Sequence, residues 1–346
     1  MQRHRSLLNG SVHTSTWGAA VLLPFFLIFL GGCDTRGGMQ QKQQDAPTNG
    51  KVVSASTAAS SGWTTVETPT EKTLHDVVQA GSETYAVGGG GLLLKRTSEG
   101  WTKVFDGGPT GNGNDLYGAG VTDDGTRIWL VGASGAVGEY NVETGTLNDR
   151  SAPMDVTNNF NDVSATGEGG EAGIYIAGDS GKMYYSFENG KAGTWEYVTP
   201  GSGSNINAVD FFGGREGHIV DGNKTTFETT DGKTWTKIGI VDADVNFYGV
   251  DADGPADVWV SGGGGMIFHW NGSEWIPEDT GDASLQDIDV APNDGTGLTV
   301  GSGGKTYALS NGAWTRQATP TGENLRAVVR GTPSVAVGAS GTVLER

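Results

Sequence analysis

The sequence predicts an all-β fold, a seven-bladed β-propeller whose blades each contain four strands. The first observation is a repeat that opens with an apolar residue, a polar residue and a small or acidic residue. The second is the spacing of 38 to 46 residues between openings, which is typical of propeller blades. The third is the lack of helical periodicity. The openings begin at Leu74, Leu116, Phe160, Ile206, Phe247, Leu285 and Leu325.

Four strands are expected in each repeat. After the opening strand, a short apolar run ends in a Gly-rich turn, as at Ala86 to Gly89. Glycine supplies the positive φ of tight hairpin turns, so a strand should precede and follow it. Alternating apolar residues predict the third strand. A Trp marks the fourth strand in five repeats, and Thr146 and Leu147 replace it in the second. These tryptophans are Trp101, Trp195, Trp235, Trp275 and Trp314.

The last repeat ends after its third strand, at Arg346, whereas an additional outer-strand Trp precedes the first repeat. Trp63 lies eleven residues before Leu74, and Trp314 lies eleven residues before Leu325. The N-terminal strand, about residues 62–67, is therefore predicted to complete the last blade. Such a pairing removes two exposed sheet edges and closes the ring.

Residues 1–33 are typical of a targeting segment. Two arginines precede a fourteen-residue apolar run, which is short for a membrane span. The segment ends in Leu30-Gly31-Gly32-Cys33, which resembles a lipobox, and this resemblance implies lipidation of Cys33. An ordinary secretory peptide is the alternative. Residues 34–61 are rich in Gln, Ser, Thr and Ala and predict a flexible tether, so residues 62–346 form the propeller.

Charge narrows the range of partners. Without residues 1–33, the chain has 20 basic and 40 acidic residues. Nucleic acids and anionic lipids require a basic surface, so neither is expected on the propeller. The acidic excess favours a halophilic protein, with ordinary solubility as the alternative. Cys33 is the single cysteine, which excludes a disulfide framework.

Two segments resemble elements of known propellers. Residues 229–235, Thr-Thr-Asp-Gly-Lys-Thr-Trp, resemble the Asp-box of sialidase-type and photosystem-assembly-type propellers, one Gly short. Residues 268–275 resemble the aromatic turn of bacterial and archaeal surface propellers. Residues 62–346 thus resemble the WD-repeat/YVTN/BNR-like group, which hosts many functions. In this group, photosystem-assembly propellers use a basic patch, and no comparable cluster is evident in the sequence.

One position of the repeat predicts a binding ring. The second residue of each opening is polar or amphipathic, and the third is small or Asp, as crowding near the axis requires. If the inner strands begin here, the second residues surround one mouth of the channel and offer aromatic and Arg anchors to a partner. Simple solvation of the channel mouth is the alternative. The ring consists of His75, Tyr117, Asn161, Asn207, Tyr248, Gln286 and Arg326.

Catalytic and metal sites receive less support. Sialidase-type catalysis needs three arginines that clamp a carboxylate, whereas only Arg326 occupies an inner-strand opening, with the others expected in third strands, outer strands or loops. No cofactor is expected, although acidic turns such as Asp123-Asp124-Gly125 leave calcium open. Further acidic turns are Asp242 to Asp244, Asp251 to Gly254 and Asn293 to Gly295. Asn223 and Asn271 begin glycosylation sequons at predicted turns.

These features together predict an extracytoplasmic, lipid-anchored propeller that binds or assembles partners without catalysis. The expected partner is an envelope protein or a surface glycan, and the propeller is expected to be a monomer that contacts the membrane only through its anchor. One alternative is a BNR-type glycan hydrolase or lyase. Another is a quinone- or metal-dependent propeller enzyme.

Overall fold

The computed structural model describes residues 62–201, 203–240, 243–292 and 295–346, and these form seven four-stranded antiparallel sheets. The inner strand of each sheet contacts the inner strands of the sheets before and after it, so the seven sheets are blades of one closed ring. The predicted signal segment, Cys33 and the whole predicted tether lie outside the described residues.

The strands follow one another along the chain from the inner to the outer edge of each blade. Blade 1 consists of β2 (Leu74–Ala80), β3 (Glu83–Gly88), β4 (Leu92–Thr97) and β5 (Gly100–Phe105). Blade 2 consists of β6 (Leu116–Val121), β7 (Arg127–Gly132), β8 (Val137–Asn141) and β9 (Thr146–Asp149). Blade 3 consists of β10 (Phe160–Thr166), β11 (Gly173–Gly178), β12 (Met183–Ser186) and β13 (Glu196–Val198).

Blades 4 to 6 have the same order. Blade 4 consists of β14 (Ile206–Phe211), β15 (Gly217–Asp221), β16 (Thr226–Thr229) and β17 (Thr236–Lys237). Blade 5 consists of β18 (Phe247–Gly254), β19 (Asp257–Gly262), β20 (Met266–Trp270) and β21 (Trp275–Asp279). Blade 6 consists of β22 (Leu285–Val290), β23 (Gly297–Gly301), β24 (Lys305–Ser310) and β25 (Ala313–Gln317). The predicted opening residue is the first residue of the inner strand in all seven blades.

Blade 7 joins the two ends of the propeller. It contains β26 (Leu325–Val329), β27 (Val335–Gly338), β28 (Val343–Glu345) and, as its outer strand, β1 (Thr64–Val66). Strands β1 and β28 are antiparallel, with Thr65 opposite Leu344. The predicted closure by the N-terminal strand is therefore confirmed.

The core lies between the blades. Seven buried clusters fill the spaces between adjacent sheets, because each sheet has an apolar residue on both faces of its middle strands. The outer-strand tryptophans close these spaces at the periphery: Trp195 packs between blades 2 and 3, and Trp63 between blades 6 and 7. Trp63 is only 2% exposed, so the closing strand is held by packing as well as by pairing.

The Asp-box and the Gly-rich turns have the expected local geometry. The carboxylate of Asp231 accepts hydrogen bonds from the backbone N–H groups of Lys233 and Thr234, at 2.8 and 2.7 Å, and these bonds hold its pKa at about 2. At Gly135, φ is +73° and a Cβ would lie 2.2 Å from the carbonyl oxygen of Val156, so only glycine fits there. No helix in the described part of the chain is long and apolar enough to cross a membrane.

Candidate binding site at the channel mouth

A β-bulge near the start of every inner strand builds the predicted ring. In blade 1, Leu74 pairs with Gly88 and Asp76 pairs with Val87, so His75 is an additional residue without a partner on β3. The same register shift occurs in the other six blades. A bulge redirects its side chain away from the regular ladder. The seven ring residues thus occupy equivalent positions at the same end of the inner strands.

Contacts between neighbouring blades join several ring residues. His75 and Tyr117 meet edge to face, with ring centroids 5.2 Å apart. On the other side of His75, in blades 6 and 7, Arg326 Nη1 donates to Gln286 Oε1 at 3.2 Å. Tyr248 is half-buried, and Arg326 is the most exposed member of the ring. These five side chains present two phenols, an imidazole, an amide and a guanidinium at the channel mouth.

The two asparagines of the ring have a structural task. Asn161 Nδ2 donates to the carbonyl oxygen of Ile206 at 2.9 Å, and Asn207 Nδ2 donates to that of Phe247 at 2.6 Å. Each bond joins one inner strand to the first residue of the next. The amide groups of Asn161 and Asn207 are therefore engaged in holding blades 3, 4 and 5 together, which leaves recognition mainly to the other five ring residues.

The electrostatics of the mouth favour a neutral imidazole. Burial lowers the pKa of His75, and the positive charge of Arg326 lowers it further, whereas Asp115 acts in the opposite direction. Burial raises the pKa of Tyr117, and Asp115 adds to this effect. At neutral pH, Arg326 thus supplies the cation of the ring, and Tyr117 keeps its phenolic proton.

Sequence reasoning noted an Asp at the third position of three repeats but missed that these residues belong to a larger set of aspartates directly below the ring. Asp76 illustrates the arrangement: its Oδ1 accepts a hydrogen bond from Val77 N in the same strand, and its Oδ2 accepts one from Ala119 N in the next blade, both at 2.7 Å. Five other aspartates also accept a backbone N–H of the following blade. These are Asp162, Asp210, Asp251, Asp287 and Asp289. We call these six residues the axial aspartates.

The axial aspartates are partly buried around the channel, where a cavity of about 400 Å³ is lined by five of them. Burial raises the pKa of Asp76 to about 6 and that of Asp210 to about 7, although the N–H donors act against this. Burial and neighbouring carboxyl groups also raise the pKa of Asp162, Asp251 and Asp287. Asp289 forms an ion pair with Arg330, whose Nε donates to its Oδ1 at 2.5 Å. The sequence signal was an acidic residue inside an apolar inner strand.

The arginines do not converge on the channel. Arg96 forms a forked pair with Glu345, and Arg150 pairs with Glu139, both away from the axis. One placement differs from the expectation, since Arg127 begins a second strand, whereas Arg330 lies in the loop after an inner strand, as expected. The guanidinium of Arg330 forms an ion pair with Asp289, an axial aspartate of the preceding blade. In the part of the chain described, no three arginines form a carboxylate clamp.

The carboxylates of the acidic turn in blade 2 accept hydrogen bonds from backbone N–H groups of blade 3. Asp123 Oδ2 accepts Gly167 N at 2.8 Å, and Asp124 Oδ2 accepts Gly169 N at 3.0 Å. Asp242, Asn293 and Asp294 lie outside the described residues. Among the described residues, no three or more His, Cys, Asp or Glu side chains are placed to hold a metal ion. Asp251 to Gly254, expected to be an acidic turn, instead belong to the inner strand β18, and calcium binding in the other acidic turns stays a prediction.

The two sequons occupy exposed turns. Asn223 follows β15, and its own N–H donates to Asp221. Asn271 follows β20, and its Oδ1 accepts hydrogen bonds from Ser273 and Glu274. Exposure at turns is the context that glycosylation requires. Glycosylation itself stays a prediction.

Comparison with known proteins supports the propeller fold. No family model and no curated protein matches the chain. Among solved structures, YCF48 from Cyanidioschyzon merolae is 17% identical with a TM-score of 0.63, covering 82% of this chain and 98% of that one. YCF48 bound to a D1 peptide is 14% identical with a TM-score of 0.65, covering 82% and 94%.

A catalytically inactive virginiamycin B lyase from Staphylococcus aureus, with quinupristin, is 12% identical with a TM-score of 0.70, covering 82% of this chain and 98% of the lyase. The WD40 propeller domain of Doa1 is 13% identical with a TM-score of 0.65. A lyase and other propellers thus resemble this chain at low sequence identity, and identities at this level establish architecture rather than activity. The chain therefore has the seven-bladed propeller fold shared by YCF48, virginiamycin B lyase and WD40 domains.

Proposed function

We propose that this protein is a non-catalytic binding or assembly module, held at the outer side of a membrane by a lipid on Cys33. The propeller binds an envelope protein or a surface glycan at the channel mouth. Residues 34–61 tether the propeller to its anchor. The observation that carries the proposal is the set of seven β-bulges, which place polar and aromatic side chains around one mouth.

The chemistry of the mouth supports a polar or aromatic partner surface. Tyrosine and arginine are the residues that most often anchor protein interfaces, because both combine apolar area with hydrogen-bonding groups. Tyr117 and Tyr248 offer phenol groups, and Arg326 offers an exposed guanidinium. The peptide-bound YCF48 structure is a propeller with a protein ligand, which adds support from a protein of the same fold.

The double variant Tyr117→Ala with Tyr248→Ala tests the proposal. We expect the variant to capture its envelope partner at least tenfold less than the wild type from solubilised envelopes, as measured by affinity capture and mass spectrometry. The melting temperature should be nearly unchanged, because both side chains lie outside the cores between blades.

Tyr197→Ala provides the matched control. Tyr197 is 51% exposed on the outer strand of blade 3, away from the channel mouth, so its loss should leave capture unchanged. Equal capture by the wild type, the double variant and the control would refute binding at the mouth.

A further inference from the structure

A deep cleft opens at the periphery of the propeller between blades 4 and 5. Its volume is about 850 Å³, which is within the range of small-molecule sites. Strand β17 of blade 4 contains two residues, the shortest outer strand of the described propeller. After Lys237, the chain leaves the sheet, and Ile238 and Ile240 lie along the wall of the cleft. The cleft lies where the chain of blade 4 continues beyond this short outer strand and faces the outer strands of blade 5.

The floor of the cleft is one continuous apolar sheet face. In blade 5, Trp270 lies opposite Trp275, and Phe268 lies opposite Pro277. Met266 lies on the same face, because side chains two residues apart along a strand point to the same side. All five line the cleft, and among them only Phe268 is fully buried.

Charge at the mouth of the cleft indicates the sign of a ligand. The carboxylates of Asp244 and Glu274 both line the cleft, and Lys224 forms an ion pair with Asp244. One carboxylate, that of Glu274, therefore lies at the rim without a counter-charge among the lining residues. The faces of Trp and Phe rings also attract cations. The excess of acidic over basic residues in the whole chain repels anionic ligands at longer range.

We propose that the cleft between blades 4 and 5 binds a small amphipathic cation, with an alkyl or aromatic body against the tryptophan face and an ammonium or guanidinium group beside Glu274. The floor side chains Met266, Trp270 and Trp275 pack against the outer end of the core between blades 4 and 5, but they stay partly exposed and leave an apolar face open to a ligand. The site is separate from the channel mouth, so it stands or falls independently of the proposed function.

Calorimetric titration of the full chain with octyltrimethylammonium, below its micellar concentration, tests the proposal. We expect one binding site, with affinity falling about fourfold for each methylene removed down to butyltrimethylammonium. Octanoate, which has the opposite charge, should bind at least tenfold more weakly. Equal binding of octanoate and octyltrimethylammonium, or no binding of either, would overturn the proposal.

Two variants locate the site. Ala243→Trp places an indole in the cleft and should reduce affinity for octyltrimethylammonium at least tenfold. Glu274→Gln removes the exposed carboxylate, carries little risk to folding, and should weaken octyltrimethylammonium several-fold without changing the binding of neutral octyl glucoside. Unchanged affinity for the cation in Glu274→Gln would contradict the placement of its charged group, whatever the stability of the first variant.

The opposite face of β21 supplies the controls. Ile276 is 41% exposed and points away from the cleft, so Ile276→Ala should bind octyltrimethylammonium as the wild type does. Glu71→Gln removes one exposed carboxylate near blade 7 and controls for the change in net charge. Loss of affinity in either control would mean that the amphiphile binds without using the cleft.

Discussion

At the scale of single residues, space around the axis decides which side chains the inner strands accept. A Cβ on Gly118 would lie 2.7 Å from Cα of Asp162 in the next blade, and a Cβ on Gly249 would lie 3.0 Å from Cα of Asp287. In both places a glycine faces an aspartate of the following inner strand. The small-or-Asp pattern at the third position of the repeat therefore reflects close contact between strands, as the sequence predicts.

Gly118→Ala should destabilise the propeller, because the new methyl group meets backbone that cannot move without opening the ring. We expect a loss of about 1 to 3 kcal/mol in the free energy of unfolding, the usual cost of overpacking, measured by urea denaturation. Gly214→Ala is the matched control, since a Cβ there has no atom within 4 Å. Equal urea midpoints for the two variants would show that the axis tolerates an additional methyl group.

The ring and the axial aspartates differ in how far the sequence predicts them. The ring position follows from the repeat itself, because the opening residue marks the start of each strand. The hydrogen bonds of the aspartates do not, because Asp76 and its donor, the backbone N–H of Ala119, are 43 residues apart in the sequence and meet only through the curvature of the ring. The bonds of Asn161 and Asn207 to the next blade were hidden for the same reason.

At the scale of strands, the closing blade is held by more than its backbone pairing. Arg96 of blade 1 donates two hydrogen bonds of 2.9 Å to the carboxylate of Glu345, and Trp101 Nε1 donates a third at 3.0 Å. Glu345 lies in β28, which pairs with β27 along one edge and with β1 along the other. The first and last blades are thus joined by charge-assisted bonds beside the joint between the chain ends.

Deletion of residues 62–67 should unfold or aggregate the propeller. The deletion removes Trp63 from the core between blades 6 and 7 and exposes the edge of β28, a template for pairing between molecules. Circular dichroism melting and light scattering would measure the effect. A control deletion of residues 45–55 leaves every described strand intact and should melt like the wild type. A soluble 62–67 deletion with an unchanged melting temperature would contradict closure by this strand.

The sequence also leaves the cleft between blades 4 and 5 unpredicted. Blade 4 has the full set of landmarks, including the outer-strand tryptophan Trp235. The length of β17 depends on where the chain turns away, at Ile238, and no periodic feature marks that point. Landmarks thus predict that a strand exists, whereas its extent depends on the packing of the next blade.

At the scale of the whole molecule, the axial aspartates bring six carboxyl groups close together around the central axis. Arg330 offers one counter-charge, at Asp289. The remaining five carboxyl groups face backbone N–H donors and one another, in an environment that disfavours several charges at short range. Because burial raises their pKa above the ordinary value, the folded protein keeps protons on the axis that the unfolded chain releases.

The stability of the propeller should therefore fall as the pH rises from about 4.5 to 7.5. The raised pKa of Asp76, about 6, and of Asp210, about 7, mean that stability is complete near pH 4 and is lost as the pH passes through these values. Each additional proton held by the folded state changes the free energy of unfolding by about 1.4 kcal/mol per pH unit. His218 acts oppositely, because burial lowers its pKa to about 4, but it is one group against five.

Urea denaturation at several pH values would measure this slope, and Asp210→Asn should make it shallower even if the variant is less stable at every pH. Asparagine has one side-chain oxygen and cannot accept both N–H groups that Asp210 binds, from Phe211 and Ala252. The variant therefore loses stability at every pH for this reason alone, and the change in slope is the quantity that reports the titration. Asp231→Asn is the control. The pKa of Asp231 is about 2, so this carboxyl group changes the stability with pH only in stronger acid, below the range tested. Stability that rises with pH over this range would mean that the axis stays ionised and that hydrogen bonds from the neighbouring blades outweigh burial.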